Sequence, residues 1–214
     1  YLSLGIHESQ SRMWENQVGR GRPFWEHWYG AAQQTFSEAL GDVAFDDFYF
    51  AINRVEPSLI RVEADELTYN LHIIIRFELE QELLNDELSV VDLPQAWNAK
   101  YEQYLGITPD SDADGVMQDV HWSAGLVGYF PTYSLGNLYA AQFFATADEQ
   151  LGGLSDMFRR GEYLPLKQWL GDKIHQVGRN CNAAELVQQV TGESLNHQFL
   201  VQQLTEKLSP LYGI

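Results

Sequence analysis

SLIRVEADELTYNLHIIIRFELEQELLNDEL, residues 58–88, opens after Pro57 and holds a helical spacing to its end. Turned at about 100 degrees per residue, Glu63, Asn70 and Gln81 fall on one narrow face, the expected solvent stripe. Roughly opposite, Arg61, Asp65, Thr68, His72 and Arg76 line up on a second polar stripe. Ile60, Ala64, Leu67, Leu71 and Ile75 border it on one side, and Val62, Tyr69 and Ile73 on the other. Polar groups set between apolar flanks need partners, water or a ligand, because an unpaired buried charge is strongly destabilising. The stripe therefore lines a cleft or closes on itself as a polar network. In the second case Arg61 pairs with Asp65 one turn away.

Outward from this stretch the chain reads as mainly α. Residues 1–18 form a helix from the first turn, with no N-cap ahead of Tyr1, stopped by Gly19, Gly21 and Pro23. A second helix covers 23–40 and ends at Gly41, and 42–56 reads as a helix followed by a short strand near 52–56. Leu93-Pro94 starts a helix running to about Leu105, before an acidic loop with Pro109, Asp110, Asp112, Asp114 and Gly115. A Gly- and aromatic-rich segment then leads into a helix within 115–150, and three or four short helices fill 151–214. With no repeat and no long linker, residues 1–214 are expected to form a single helical domain, with at most a small incomplete β-sheet. A helix that opens without a start signal reads as a processed protein or as part of a longer chain.

The chain's 214 residues carry a formal net charge of −17, so phosphate backbones and anionic membranes are repelled over most of the surface. No apolar run is long enough for a membrane helix. Neither nucleic acid nor membrane is an expected partner. The single cysteine, Cys181, has no internal disulfide partner and no activating neighbour, which fits a reducing cytoplasm.

Few local patterns carry chemistry. His7-Glu8 begins like the zinc motif H-E-x-x-H, but residue 11 is serine and no second histidine lies within four positions. Alone, Glu8 reads as a solvated or capped acid. Gly115-Val116-Met117-Gln118-Asp119-Val120-His121-Trp122 gathers an acid, an imidazole and an indole after a flexible loop, and Gly125, Gly128, Tyr129, Pro131 and Tyr133 follow. Such a segment suits a ligand wall or a tightly packed aromatic turn. An Asp119–His121 pair can form on a turn, and no G-x-S-x-G nucleophile or phosphate loop is present.

Three separated motifs, His7-Glu8-Ser9-Gln10-Ser11-Arg12, Ile60-Arg61-Val62-Glu63-Ala64-Asp65 and Gly115 to Trp122, together resemble one family. In order and separation they are similar to the HES(G)Q, I-R-x-x-A-D and G-x-x-Q-D-x-H-W signatures of the M32 zinc carboxypeptidases. Trp14-Glu15-Asn16, Asp92 to Asn98, Gly128 to Tyr133 and the Leu-Tyr-Gly-Ile ending extend the likeness over essentially the whole chain. It corresponds only to the C-terminal part of such a protein, less than half.

The resemblance implies a helical zincin-like carboxypeptidase fold and removal of C-terminal residues from peptide substrates. It implies Glu8 as a zinc ligand, Arg61 as a receptor of the substrate's terminal carboxylate, His121 and Tyr133 beside the substrate, and a homodimer. The family's H-E-x-x-H and D-x-R-x-T segments have no counterpart in these residues, so the chain alone is expected neither to bind zinc nor to be active. The competing expectation is a complete, non-catalytic helical binding module on the same scaffold.

Overall fold

The computed structural model describes residues 2–214; Tyr1, where the first helix was expected to begin, lies outside them. Among the described residues there is no strand, so the strand expected near 52–56 is absent and the fold is α-helical throughout. Among the described residues no helix is long and apolar enough to cross a membrane. The backbone groups into two compact units, one running to Asn53 and resuming at Leu135–Ile214, the other Arg54–Ser134.

In the first unit, α1 spans Leu4–Arg12 and continues as a π-helical segment, Met13–Gly19. The expectation that this helix lacks an N-cap is corrected: Ser3 Oγ accepts from the Ile6 N–H at 3.1 Å. The second expected helix is divided into α2, Arg22–Thr35, and α3, Ser37–Leu40, and α4 covers Phe45–Ile52. After α7, Pro131–Leu151, come α8 (Leu154–Arg159), α9 (Leu164–Leu170) with a π-helical extension Gly171–His175, α10 (Ala183–Thr191) and α11 (Gln198–Tyr212). Asn182 and Glu185 form a reciprocal capping box on α10. Ile6, Met13, Val18, Phe143, Leu154, Leu166 and Val187 share one buried cluster. Gly136 lies so close to α1 that a Cβ there would come within 2.9 Å of Glu8 Cγ.

The second unit is built on α5, Tyr69–Leu84, and α6, Leu93–Leu105, joined through Ile75, Leu79, Leu93, Trp97, Tyr101 and Leu105. Here the reading of one helix over 58–88 is corrected. Ile60 and Ala64 are extended, Arg61–Glu63 make a single 3-10 turn, and the α-helix begins only at Tyr69. Asp65 is the local cause. Its Oδ1 accepts from the N–H groups of Leu67 and Thr68, both at 2.9 Å, and its Oδ2 from Thr68 Oγ1 at 2.6 Å and the Glu56 N–H at 3.2 Å. An aspartate binding the backbone just ahead of it competes with helix and starts the next one.

Candidate functional site: a buried two-arginine cluster

Residues 72, 76 and 80 follow one another by one turn along the buried face of α5, which places two basic side chains and a carboxylate inside the second unit. His72 and Arg76 are fully buried and Glu80 nearly so. Arg76 and Glu80 find most of their partners in the irregular segment 114–130, and Tyr101 of α6 bonds both His72 and Arg76. Asp119 sits at the centre. Its Oδ2 accepts from Arg76 Nε at 2.6 Å, while Oδ1 accepts from Arg61 Nη2 at 2.6 Å and Nε at 3.1 Å. The side chains of Arg61, Arg76 and Asp119 are 7%, 0% and 9% exposed. Gln118 ties in the backbone: Oε1 accepts from the Arg61 N–H at 2.9 Å and from Arg76 Nη2 at 2.8 Å, and Nε2 donates to Leu59 O at 3.0 Å. Lower on α5, Glu80 accepts from Trp122 Nε1 and the Gly128 N–H, each at 2.7 Å, and so pins the same segment.

The Arg61–Asp65 ladder is thereby corrected, since Arg61 pairs with Asp119 and Asp65 serves the backbone. Burial works against the Arg61 charge, but its bonds to Asp119 outweigh this and raise its pKa. Burial likewise opposes the Asp119 charge, and the two guanidinia still hold it below the ordinary carboxylate value. His72 donates to or accepts from Tyr101 OH at 3.0 Å, and burial, then Arg76 and Arg61, lower its pKa to about 4. It is neutral at pH 7. Arg61 and Arg76 thus share the Asp119 carboxylate, and Glu80, one turn further along α5, is a second buried acid in the same unit.

Arg61 is not used up by these contacts. Its Nε and Nη2 edge faces Asp119 and Nη1 donates to Tyr69 OH at 3.2 Å, which leaves one N–H on each terminal nitrogen for a further acceptor. Tyr133 and His121 lie beside it: the Arg61 Cζ is 5.1 Å from the Tyr133 ring centre, and His121 Nε2 is 3.0 Å from Tyr133 OH. His121 Nδ1 stands 3.6 Å from Asp119 Oδ1 and makes no hydrogen bond. Burial lowers the His121 pKa, with Asp119 opposing and the two arginines reinforcing the shift. Three of the four residues expected at the site, Arg61, His121 and Tyr133, are therefore brought together. Glu8 belongs to the first unit, half-buried on α1 against Gly136, and its carboxylate makes no hydrogen bond among the described residues. Sequence reasoning missed Glu80, Tyr101 and Trp97. Only Glu80 carried a signal, as the continuation of the His72–Arg76 row by one more turn.

A side-on arginine–carboxylate pair with N–H groups to spare, buried beside an imidazole and a phenol, has the donors to take a further acceptor such as a carboxylate. A family model supplies the class. The chain belongs to the carboxypeptidase Taq (M32) metallopeptidases, matched over residues 1–208. Among its relatives, thermostable carboxypeptidase 1 of Thermus thermophilus is 55% identical over 99% of this chain and 41% of its own length. Carboxypeptidase 1 of Bacillus subtilis is 49% identical over 98% and 42%. The crystal structure of the M32 carboxypeptidase from Deinococcus radiodurans R1 superposes with a TM-score of 0.97 at 46% identity, covering all of this chain and 43% of that one. The chain spans about two fifths of the length of the curated relatives it matches.

The family implies a metal. Among the described residues no group of three His, Cys, Asp or Glu side chains is placed to hold one. A catalytic metal needs several protein ligands, so these residues do not by themselves make its site.

Proposed function

We propose that residues 1–214 form the carboxylate-recognising part of a zinc carboxypeptidase that removes C-terminal residues from peptides. The two N–H groups left on the buried Arg61 fork beside Asp119, His121 and Tyr133 carry this reading: a terminal carboxylate would meet them. Recognition of the free terminus makes cleavage exo, because only the last peptide bond lies at a fixed distance from the anchor. His121 and Tyr133 would flank the bound residue. Glu8, a half-buried carboxylate on α1, would give the metal one ligand, and the others would come from outside these residues. On this reading the chain alone is inactive. Action in the cytoplasm as a homodimer belongs to the same reading, supported by the lone cysteine and by the family likeness.

The test is a comparison of free-acid and C-terminally amidated peptides with the full-length polypeptide that carries these residues. Arg61→Ala should lower kcat/KM on the free acid by about 30- to 1000-fold, the worth of a charge-assisted contact in a desolvated cleft. The amidated peptide, already poor, should be cleaved equally by both proteins. Arg61→Lys should recover little, since an ammonium lacks the planar fork. Equal losses on both substrates would place Arg61 in a purely structural role.

A further inference from the structure

We propose that Arg76 is a positioning residue for Arg61: it holds both anchors of Arg61 from behind and touches no ligand itself. The inference rests on the reading of Arg61 as the carboxylate receptor. Arg61 has two fixed points. Its side chain is held by Asp119 and its backbone N–H by Gln118 Oε1. Arg76 binds both of these partners, Asp119 Oδ2 through Nε at 2.6 Å and Gln118 Oε1 through Nη2 at 2.8 Å. Its remaining contacts keep it in place: Nη1 donates to His72 O at 2.8 Å and to Tyr101 OH at 3.2 Å, and the Cζ lies 4.5 Å from the Trp97 ring centre. Arg76 is fully enclosed, so it cannot reach a substrate. It contributes in two ways. It fixes the plane of the Asp119 carboxylate, and through that the direction of the Arg61 fork. It also supplies the second positive charge, without which Asp119 would neutralise Arg61 and leave little attraction for a carboxylate.

The geometry and the charge can be separated. In the metal-loaded, full-length polypeptide, Arg76→Lys keeps the charge and loses the fork, whereas Arg76→Met loses both. Arg76→Lys should lower the preference for free-acid over amidated peptides on the order of 10-fold, and Arg76→Met on the order of 100-fold, the scale on which a misplaced binding group acts. The loss should fall in KM more than in kcat, which a general loosening of the fold would not produce. In an Arg61→Ala background, Arg76→Lys should leave the remaining preference unchanged, because the group it positions is gone. Tyr101→Phe removes one Nη1 acceptor of Arg76 with little change in volume, and it carries the test if the Arg76 variants do not fold. It should shift KM in the same direction by a few fold. If wild type discriminates free acids and Arg61→Ala abolishes that, but Arg76→Lys and Tyr101→Phe keep the wild-type ratio, the positioning role is wrong while the carboxylate receptor stands. A wild type that does not discriminate overturns both.

Discussion

Asp119→Asn removes the one negative charge held between Arg61 and Arg76. The carboxylate accepts from Arg76 Nε and from Arg61 Nη2 and Nε, and its side chain is 9% exposed. An asparagine of the same shape can offer one carbonyl oxygen, while its amide N–H groups would face guanidinium donors. Two enclosed cations would then lack a counter-charge, and removing one partner of a buried pair costs about 3 to 5 kcal/mol. With a urea m-value of roughly 2 kcal/mol per molar, this is a fall of about 2 M in the unfolding midpoint. Adding Arg76→Met should restore part of the loss, because it removes one of the stranded charges. Glu162→Gln provides the control. It breaks a pair with Arg160 only slightly longer, 2.8 Å, in which both side chains are about half exposed, and should leave the midpoint where it was. The reasoning fails if Asp119→Asn moves the midpoint by less than about 0.3 M, or if Arg76→Met adds its full cost to that of Asp119→Asn.

Two further outcomes follow from the burial pattern. His72 has a folded-state pKa of about 4 against an ordinary 6.5, lowered by burial, Arg76 and Arg61 and opposed by Asp65 and Asp119. The unfolded chain therefore takes up a proton that the folded one refuses between these values, and stability is lost as pH falls from 6.5 towards 4, by up to ~3 kcal/mol. Unfolding curves of wild type and His72→Gln should diverge across that window, and parallel curves would show that His72 does not titrate this way. Gly136→Ala sets helix propensity, which favours Ala by about 1 kcal/mol, against a Cβ placed 2.9 Å from Glu8 Cγ and 3.0 Å from its Cβ. The contact should win, with a net loss of about 1 to 3 kcal/mol read as a lower Tm; a higher Tm would mean that α1 and α7 separate easily.

The helical character of this chain was legible because most of its helices announce their ends. Pro94 in the first turn of α6, Gly106 in the left-handed conformation after it, and Gly192 after α10 all lie where sequence rules put them. The stretch 58–88 shows the limit of such rules. Arg61, Asp65, Thr68, His72 and Arg76 fit one helical face, yet the first three lie ahead of the helix. Periodicity could not reveal that the Asp65 carboxylate binds the Leu67 and Thr68 N–H groups instead of Arg61. The burial of the row was nonetheless foreseeable, because apolar neighbours on both sides of His72 and Arg76 left those two nowhere else to point. What angular counting could not supply was the partner, since Asp119 is 58 residues from Arg61 and 43 from Arg76. The motif spelling drew attention to Asp119, His121 and Arg61 one at a time. That one carboxylate joins two arginines is visible only in three dimensions, as is the role of Glu80, whose partners Trp122 and Gly128 lie more than 40 residues on.

Gln118 gives the backbone on either side of the extended Ile60 what a neighbouring strand would have given. One side-chain amide donates to Leu59 O and accepts from the Arg61 N–H, with Tyr101 OH donating to the same carbonyl at 3.2 Å. No ladder runs on from this point, so neither segment is stiffened by cooperative pairing. Release of the Gln118 amide frees the Arg61 N–H, while Leu59 O keeps Tyr101 OH and the Arg61 side chain keeps Asp119. Exchange of the Arg61 amide proton with solvent should therefore report a local opening, well below the free energy of unfolding the α5–α6 pair. Reclosing must bring together chain segments 57 residues apart. The α5–α6 framework, whose contacts are nearer in sequence, can form ahead of it, so that the Arg61–Asp119 pair assembles late on a scaffold already in place.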